Sequence, residues 1–150
     1  GANLALACDV RLASDAARFS QSFVRLALHP DWGGSYTLPR AVGLANALDL
    51  CWTGDMIDAA EALRLGLVQR LWPAAAFEGE CRAYAERLAS APQASVHAIK
   101  ATLRASPGRT LAACLAAERA AQQACWESAD SVEGVAAAAE KRAPRFARER

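Results

Sequence analysis

Leu28-His29-Pro30-Asp31-Trp32-Gly33-Gly34-Ser35-Tyr36-Thr37-Leu38-Pro39-Arg40 sets a carboxylate in a tight turn just ahead of a helix. Pro30 fixes its own φ and biases His29 toward extended backbone. Gly33 and Gly34 allow conformations and close approaches that larger residues resist. The apolar-polar pattern that follows opens a short helix. Asp31 therefore has two readings. It caps that helix with its side chain, or it is a carboxylate placed to move a proton.

Working outward, residues 1–8 are small and apolar and read as a buried helix, and 9–13 as a short strand with Val10 and Leu12 on one side. Residues 18–22 read as a second strand after the Ser14-Asp15 turn. A helix runs from Gly43-Leu44 to about Trp52 and ends at Thr53-Gly54-Asp55. Asp58 is placed to N-cap a helix over 59–65, Gly66 to end it, and 67–71 reads as a strand. From Pro73 the composition turns to Ala, Arg, Glu and Gln. Helices are expected there over 74–90, 93–105, 110–127 and 129–142, punctuated by Pro92 and Pro107-Gly108. Ala-rich helices pack closely but carry little bulk for a core of their own, so 110–142 is expected to pack against a neighbour.

The chain has 150 residues, net charge +1 and 53% hydrophobic content, which suits one globular domain or part of a larger one. Balanced charge argues against nucleic acid as a bulk partner. No apolar run is long enough to span a bilayer, and no signal peptide is present in this stretch. Five cysteines, at 8, 51, 81, 114 and 125, show no Cys-x-x-Cys spacing and an odd count. They read as reduced core thiols of a cytoplasmic protein. His29 and His97 form no metal-ligand pattern, so no metal site is expected. The chain does not begin with Met and opens inside an apolar run, which reads as the C-terminal part of a longer protein.

Four blocks, in order, give the chain its resemblance to a known family. They are Gly1-Ala2-Asn3-Leu4-Ala5-Leu6-Ala7-Cys8-Asp9; Phe19-Ser20-Gln21 running into Pro30-Asp31-Trp32-Gly33-Gly34 and Leu38-Pro39-Arg40; Thr53-Gly54-Asp55 with Ala59-Ala60-Glu61-Ala62 and Gly66-Leu67-Val68; and Glu133-Gly134-Val135 with Glu140-Lys141-Arg142, Pro144 and Phe146. Together they span the chain, which resembles the enoyl-CoA hydratase/isomerase (crotonase) family. The resemblance implies an α/β fold, the C-terminal part of a spiral of β-β-α units over residues 1–72. A helical region over 73–150 follows, which in the family mediates assembly into trimers and hexamers. The implied substrate is an acyl-CoA thioester, with coenzyme A as part of the substrate and no separate cofactor.

Family chemistry holds the thioester carbonyl with two backbone N–H donors that stabilise an enolate. One lies upstream of this sequence and the other falls just before Gly1, so Gly1 and Ala2 stand at most at the edge of that site, or simply pack tightly. Hydratases of the family use two glutamates, and these fall on Asn3 and Phe23. An amide cannot take a proton at neutral pH and a phenyl ring can neither donate nor accept one. This departure disfavours hydration and leaves Asp31, which matches a position where isomerases of the family carry a catalytic aspartate. The wording around Asp31 most resembles the epoxyphenylacetyl-CoA isomerases and related enoyl-CoA isomerases. The expected reaction is a double-bond shift or ring-epoxide rearrangement in a CoA thioester, with Asp31 as sole acid/base. Asn3 then hydrogen-bonds substrate or satisfies a helix end. Phe23, Trp32 and Tyr36 line the acyl pocket beside Gly33, or belong to the core.

Lys141, Arg142, Arg145, Arg148 and Arg150 surround Phe146 as a basic cluster. It is a solvated tail, or it pairs with CoA phosphates while Phe146 meets the adenine, as the family's matching Lys and Phe do. The alternatives to an isomerase are a hydratase or lyase of the same family, and a truncated, non-catalytic scaffold subunit.

Overall fold

The computed structural model describes residues 1–146, and Arg148 and Arg150 of the basic cluster lie outside them. The chain divides into two compact units, Gly1–Ala83 and Tyr84–Arg150. The division falls inside a helix.

The first unit runs α1 (Ala2–Leu6), β1 (Leu12–Ser14), β2 (Arg18–Ser20), a 3₁₀ turn (Ser22–Leu26), α2 (Gly34–Val42), α3 (Leu44–Thr53), β3 (Met56–Asp58), α4 (Ala59–Arg64) and β4 (Arg70–Trp72). Its strands form two ribbons. β1 pairs parallel with β4, Ala13 opposite Leu71. β2 pairs antiparallel with β3, Phe19 opposite Ile57. Leu6 of α1, Leu38 and Val42 of α2, Leu50 of α3 and Ala62 of α4 meet in one buried core beside these ribbons. Leu67 and Val68 enter the same core on the turn after α4, where both N–H groups donate to the Ala62 carbonyl. That engagement delays the strand expected over 67–71, and β4 begins at Arg70. Asp58 caps α4 as expected, accepting from the Glu61 N–H at 2.8 Å, and Gly66 follows with φ +81°. Arg11 ties the entry of β1 to this turn, donating from Nε to the Leu67 carbonyl at 2.5 Å and from Nη1 to that of Cys8 at 3.0 Å. Burial lowers its pKa.

α5 (Phe77–Ala89) carries the chain across the division. The second unit continues with α6 (Gln93–Ala105), a short 3₁₀ turn (Ser106–Gly108), α7 (Leu111–Trp126) and α8 (Ala129–Ala139). Thr110 and Ser128 cap α7 and α8, each accepting from a backbone N–H three residues on. Beyond α8 the chain folds back on it. Glu133 accepts from Arg142 Nη1 and Nη2 at 2.6 and 2.9 Å and from the Arg145 N–H at 2.7 Å. The Phe146 ring lies over Gly134, where an added Cβ would come within 3.6 Å of it. Ile99, Leu103, Leu111, Leu115 and Val132 are exposed on these helices. The five cysteines are free thiols. Among the described residues no helix is long and apolar enough to cross a membrane.

Candidate functional site

The stretch around Asp31 forms a turn whose carbonyl, not its carboxylate, does the holding. Trp32 and Gly33 both take left-handed backbone, φ +50° and +76°. Gly33 is the N-cap of α2 and no side chain caps the helix. The first of the two readings of Asp31, a capping side chain, is therefore set aside. The Asp31 carbonyl accepts from the Gly34 N–H at 2.8 Å and closes the turn. It accepts a second hydrogen bond, from Asn3 Nδ2, at 3.0 Å.

Asn3 arrives from α1 and is buried, as is Gln21 at the end of β2. Gln21 Nε2 donates to Asn3 Oδ1 at 2.8 Å. The order of these amides is dictated by chemistry. A carbonyl only accepts, so Asn3 must offer its NH₂ to Asp31 and its oxygen to Gln21. Gln21 must then offer its own NH₂, and its Oε1 is left buried without a partner among the described residues. Gly34 closes on Asn3 so tightly that a Cβ there would lie 2.6 Å from Nδ2.

These pieces border a cleft of about 480 Å³, lined by Gly1, Ala2, Asn3, Leu4, Ser20, Gln21, Ser22, Phe23, Asp31 and Trp32. Asp31 is exposed, and its carboxylate has no hydrogen-bond or ion-pair partner among the described residues. It is also the one titratable side chain among those lining residues. Phe23 is half-buried at the start of the 3₁₀ turn and Trp32 is exposed. Gly33, expected to contact substrate, is the N-cap of α2 and does not line the cleft. Tyr36 is neither a lining residue nor core. It is 63% exposed and stacks under the Arg40 guanidinium, 3.5 Å from the ring centroid.

Of the expected site residues, the structure thus brings Gly1, Asn3, Phe23, Asp31 and Trp32 to one cleft in the first unit. Lys141 and Phe146 belong to the second unit, Lys141 exposed with φ +55°. Arg142 is engaged by Glu133 and Glu140. The residue that sequence reasoning passed over is Gln21. It stood inside the Phe19-Ser20-Gln21 block, but its partner is 18 residues away and no spacing marks the pair. Among the described residues no group of three or more His, Cys, Asp or Glu is placed to hold a metal.

The family model described as enoyl-CoA hydratase/isomerase matches residues 1–149, and the chain belongs to that family. A probable enoyl-CoA hydratase of Rhodobacter capsulatus is 44% identical over 146 residues, 97% of this chain and 57% of the relative. The 1,2-epoxyphenylacetyl-CoA isomerase of Escherichia coli is 34% identical over 97% of this chain and 56% of its own length. A solved structure of an enoyl-CoA hydratase subunit from Geobacillus kaustophilus superposes with a TM-score of 0.91 at 35% identity, covering 99% of this chain and 58% of that one. The architecture is therefore the C-terminal part of the crotonase fold with its helical C-terminal region. The chain spans a little over half the length of the relatives it matches.

Proposed function

We propose that the intact protein is an acyl-CoA isomerase that moves a double bond, or rearranges a ring epoxide, with Asp31 as the sole acid/base. The reading is carried by one observation: Asp31 is the single titratable side chain lining the cleft, and its carboxylate is unengaged among the described residues. A double-bond shift asks one base to take a proton from one carbon of the thioester and return it to another. One carboxylate suffices, and a neighbouring water-activating pair would divert the enolate. Asn3 and Phe23 supply no such pair. Coenzyme A enters as part of the substrate. Phe23 and Trp32 are assigned to the acyl group, Lys141 to a CoA phosphate and Phe146 to the adenine.

Hydration is the second reading, and it is favoured by the hydratase names of relatives such as the Rhodobacter protein. It requires water to be activated by groups other than residues 3 and 23. The two readings part on the Asp31→Asn variant of the intact protein, measured on a panel of unsaturated acyl-CoA thioesters. The amide keeps size and an acceptor oxygen but takes no proton. An isomerase should lose about 10²–10⁴ in kcat with KM little changed. Near-normal isomerisation by Asp31→Asn removes Asp31 from the mechanism, and efficient hydration by the wild type overturns the isomerase reading.

A further inference from the structure

We infer that Asn3 and Gln21 are positioning residues for Asp31: a two-amide relay that fixes the main chain of the candidate base while leaving its carboxylate free. The inference rests on the reading of Asp31 as the acid/base. Asn3 is 5% exposed and Gln21 4%. Asn3 spends its oxygen on Gln21 and a hydrogen of its NH₂ on the Asp31 carbonyl. What Asn3 touches is the backbone of the candidate base.

The relay meets a real need of the turn. Trp32 and Gly33 hold two successive left-handed conformations, and for a tryptophan that region is disfavoured. Such backbone persists where the surroundings over-determine it. Here the Asp31 carbonyl is gripped from two directions, by the Gly34 N–H of its own turn and by Asn3 from α1. Gln21 fixes the side chain that does the gripping, donating from Nε2 to Asn3 Oδ1, while its own Oε1 is buried without a partner among the described residues. The direction of the relay also excludes a carboxylate at position 3. An ionised Asp or Glu has no hydrogen to give the Asp31 carbonyl and would set acceptor against acceptor. The amide grip and a water-activating carboxylate at this position are alternatives.

The test is a double-mutant cycle in the intact protein, with kcat and KM measured on the best acyl-CoA substrate of the panel. Asn3→Ala is expected to lower kcat by about 10- to 100-fold, the penalty of a misplaced catalytic group, with KM nearly unchanged. In the Asp31→Asn background the same Asn3→Ala change should cost nothing further, because the residue it positions no longer acts. Losses that multiply, a rise confined to KM, or an unchanged kcat in Asn3→Ala would each overturn the relay. Should Asn3→Ala not fold, Gln21→Met takes its place. It leaves Asn3 without its donor and is expected to lower kcat less than tenfold, again only while Asp31 is present. A loss that persists in the Asp31→Asn background overturns it. The two ideas fail apart. If Asp31→Asn abolishes turnover and Asn3→Ala does not change kcat, only the relay falls. If Asp31→Asn keeps its kcat, the base assignment falls and takes the relay with it.

Discussion

Replacing Gly34 by alanine sets a methyl group against Asn3. Gly34 opens α2 with helical backbone, so alanine is conformationally acceptable there. Taken alone, such a change stabilises by about 0.4–1 kcal/mol through the unfolded chain. Space decides otherwise. The new Cβ would stand 2.6 Å from Asn3 Nδ2, 2.7 Å from Oδ1 and 2.8 Å from Cγ. Asn3 cannot retreat without loosening its bonds to Asp31 and Gln21. Two hydrogen bonds at about 1 kcal/mol each, with about 1–3 kcal/mol of overpacking and less the entropic gain, leave a net destabilisation of about 2–5 kcal/mol. Urea unfolding of the intact protein reads this as a lower midpoint at unchanged slope. Removing the Asn3 side chain makes room for the methyl. Gly34→Ala combined with Asn3→Ala should therefore cost clearly less than the two single changes added together. A Gly34→Ala protein as stable as wild type, or strict additivity in the double variant, would refute the contact.

Three further outcomes are expected. Glu133, held down to about 2 by Arg142 and the Arg145 N–H, sits well below its unfolded value of about 4.3. Its contribution is complete above that value and is lost as pH falls from there through about 2. Glu133→Gln should flatten that acid limb of stability, and a variant with the wild-type acid slope contradicts the tether beyond α8. Binding of a CoA thioester, followed by calorimetry, should weaken as salt rises and weaken less steeply in Lys141→Ala. A salt-independent affinity removes phosphate pairing. The apolar side chains exposed on α6, α7 and α8, Ile99, Leu103, Leu115 and Val132 among them, are expected to be covered in a trimer or hexamer of the intact protein. Sedimentation of a well-folded monomer at micromolar concentration counts against that assembly.

How much of this was legible in the sequence depended on how local the signal was. Helix α6 begins and ends where Pro92 and the Pro107 turn predict, because proline acts on its immediate neighbours. The Asp58 cap and the Gly66 exit were readable for the same reason. β3 was not. It is three residues long directly after Thr53-Gly54-Asp55, too short for alternation to register, and it exists through its pairing with β2. The strand expected over 18–22 stops at Ser20 because Ser22 begins the 3₁₀ turn. In the site, Asp31 announced itself through Pro30 and the two glycines. The amide relay did not, since its hydrogen bonds join residues 18 and 28 positions apart. Donor and acceptor order becomes readable only once three elements meet.

That order bears on what kind of base Asp31 would be. A group that takes a proton from one carbon and returns it to another must reach both, so its carboxylate has to turn. Hydrogen bonds to the carboxylate would hold it to one position and favour its charged form over the protonated form that returns the proton. The same group must not drift, because misplacement by an ångström is worth about 10²-fold in rate. Fixity and freedom are compatible only if the restraint acts on the main chain. At Asp31 the carbonyl takes two hydrogen bonds, from Gly34 and Asn3, while the carboxylate takes none from the described residues. The arrangement suits a shuttle better than a base that holds a fixed water. A water-activating carboxylate gains from being oriented by donors, and at position 3 the donor is already committed to the Asp31 carbonyl.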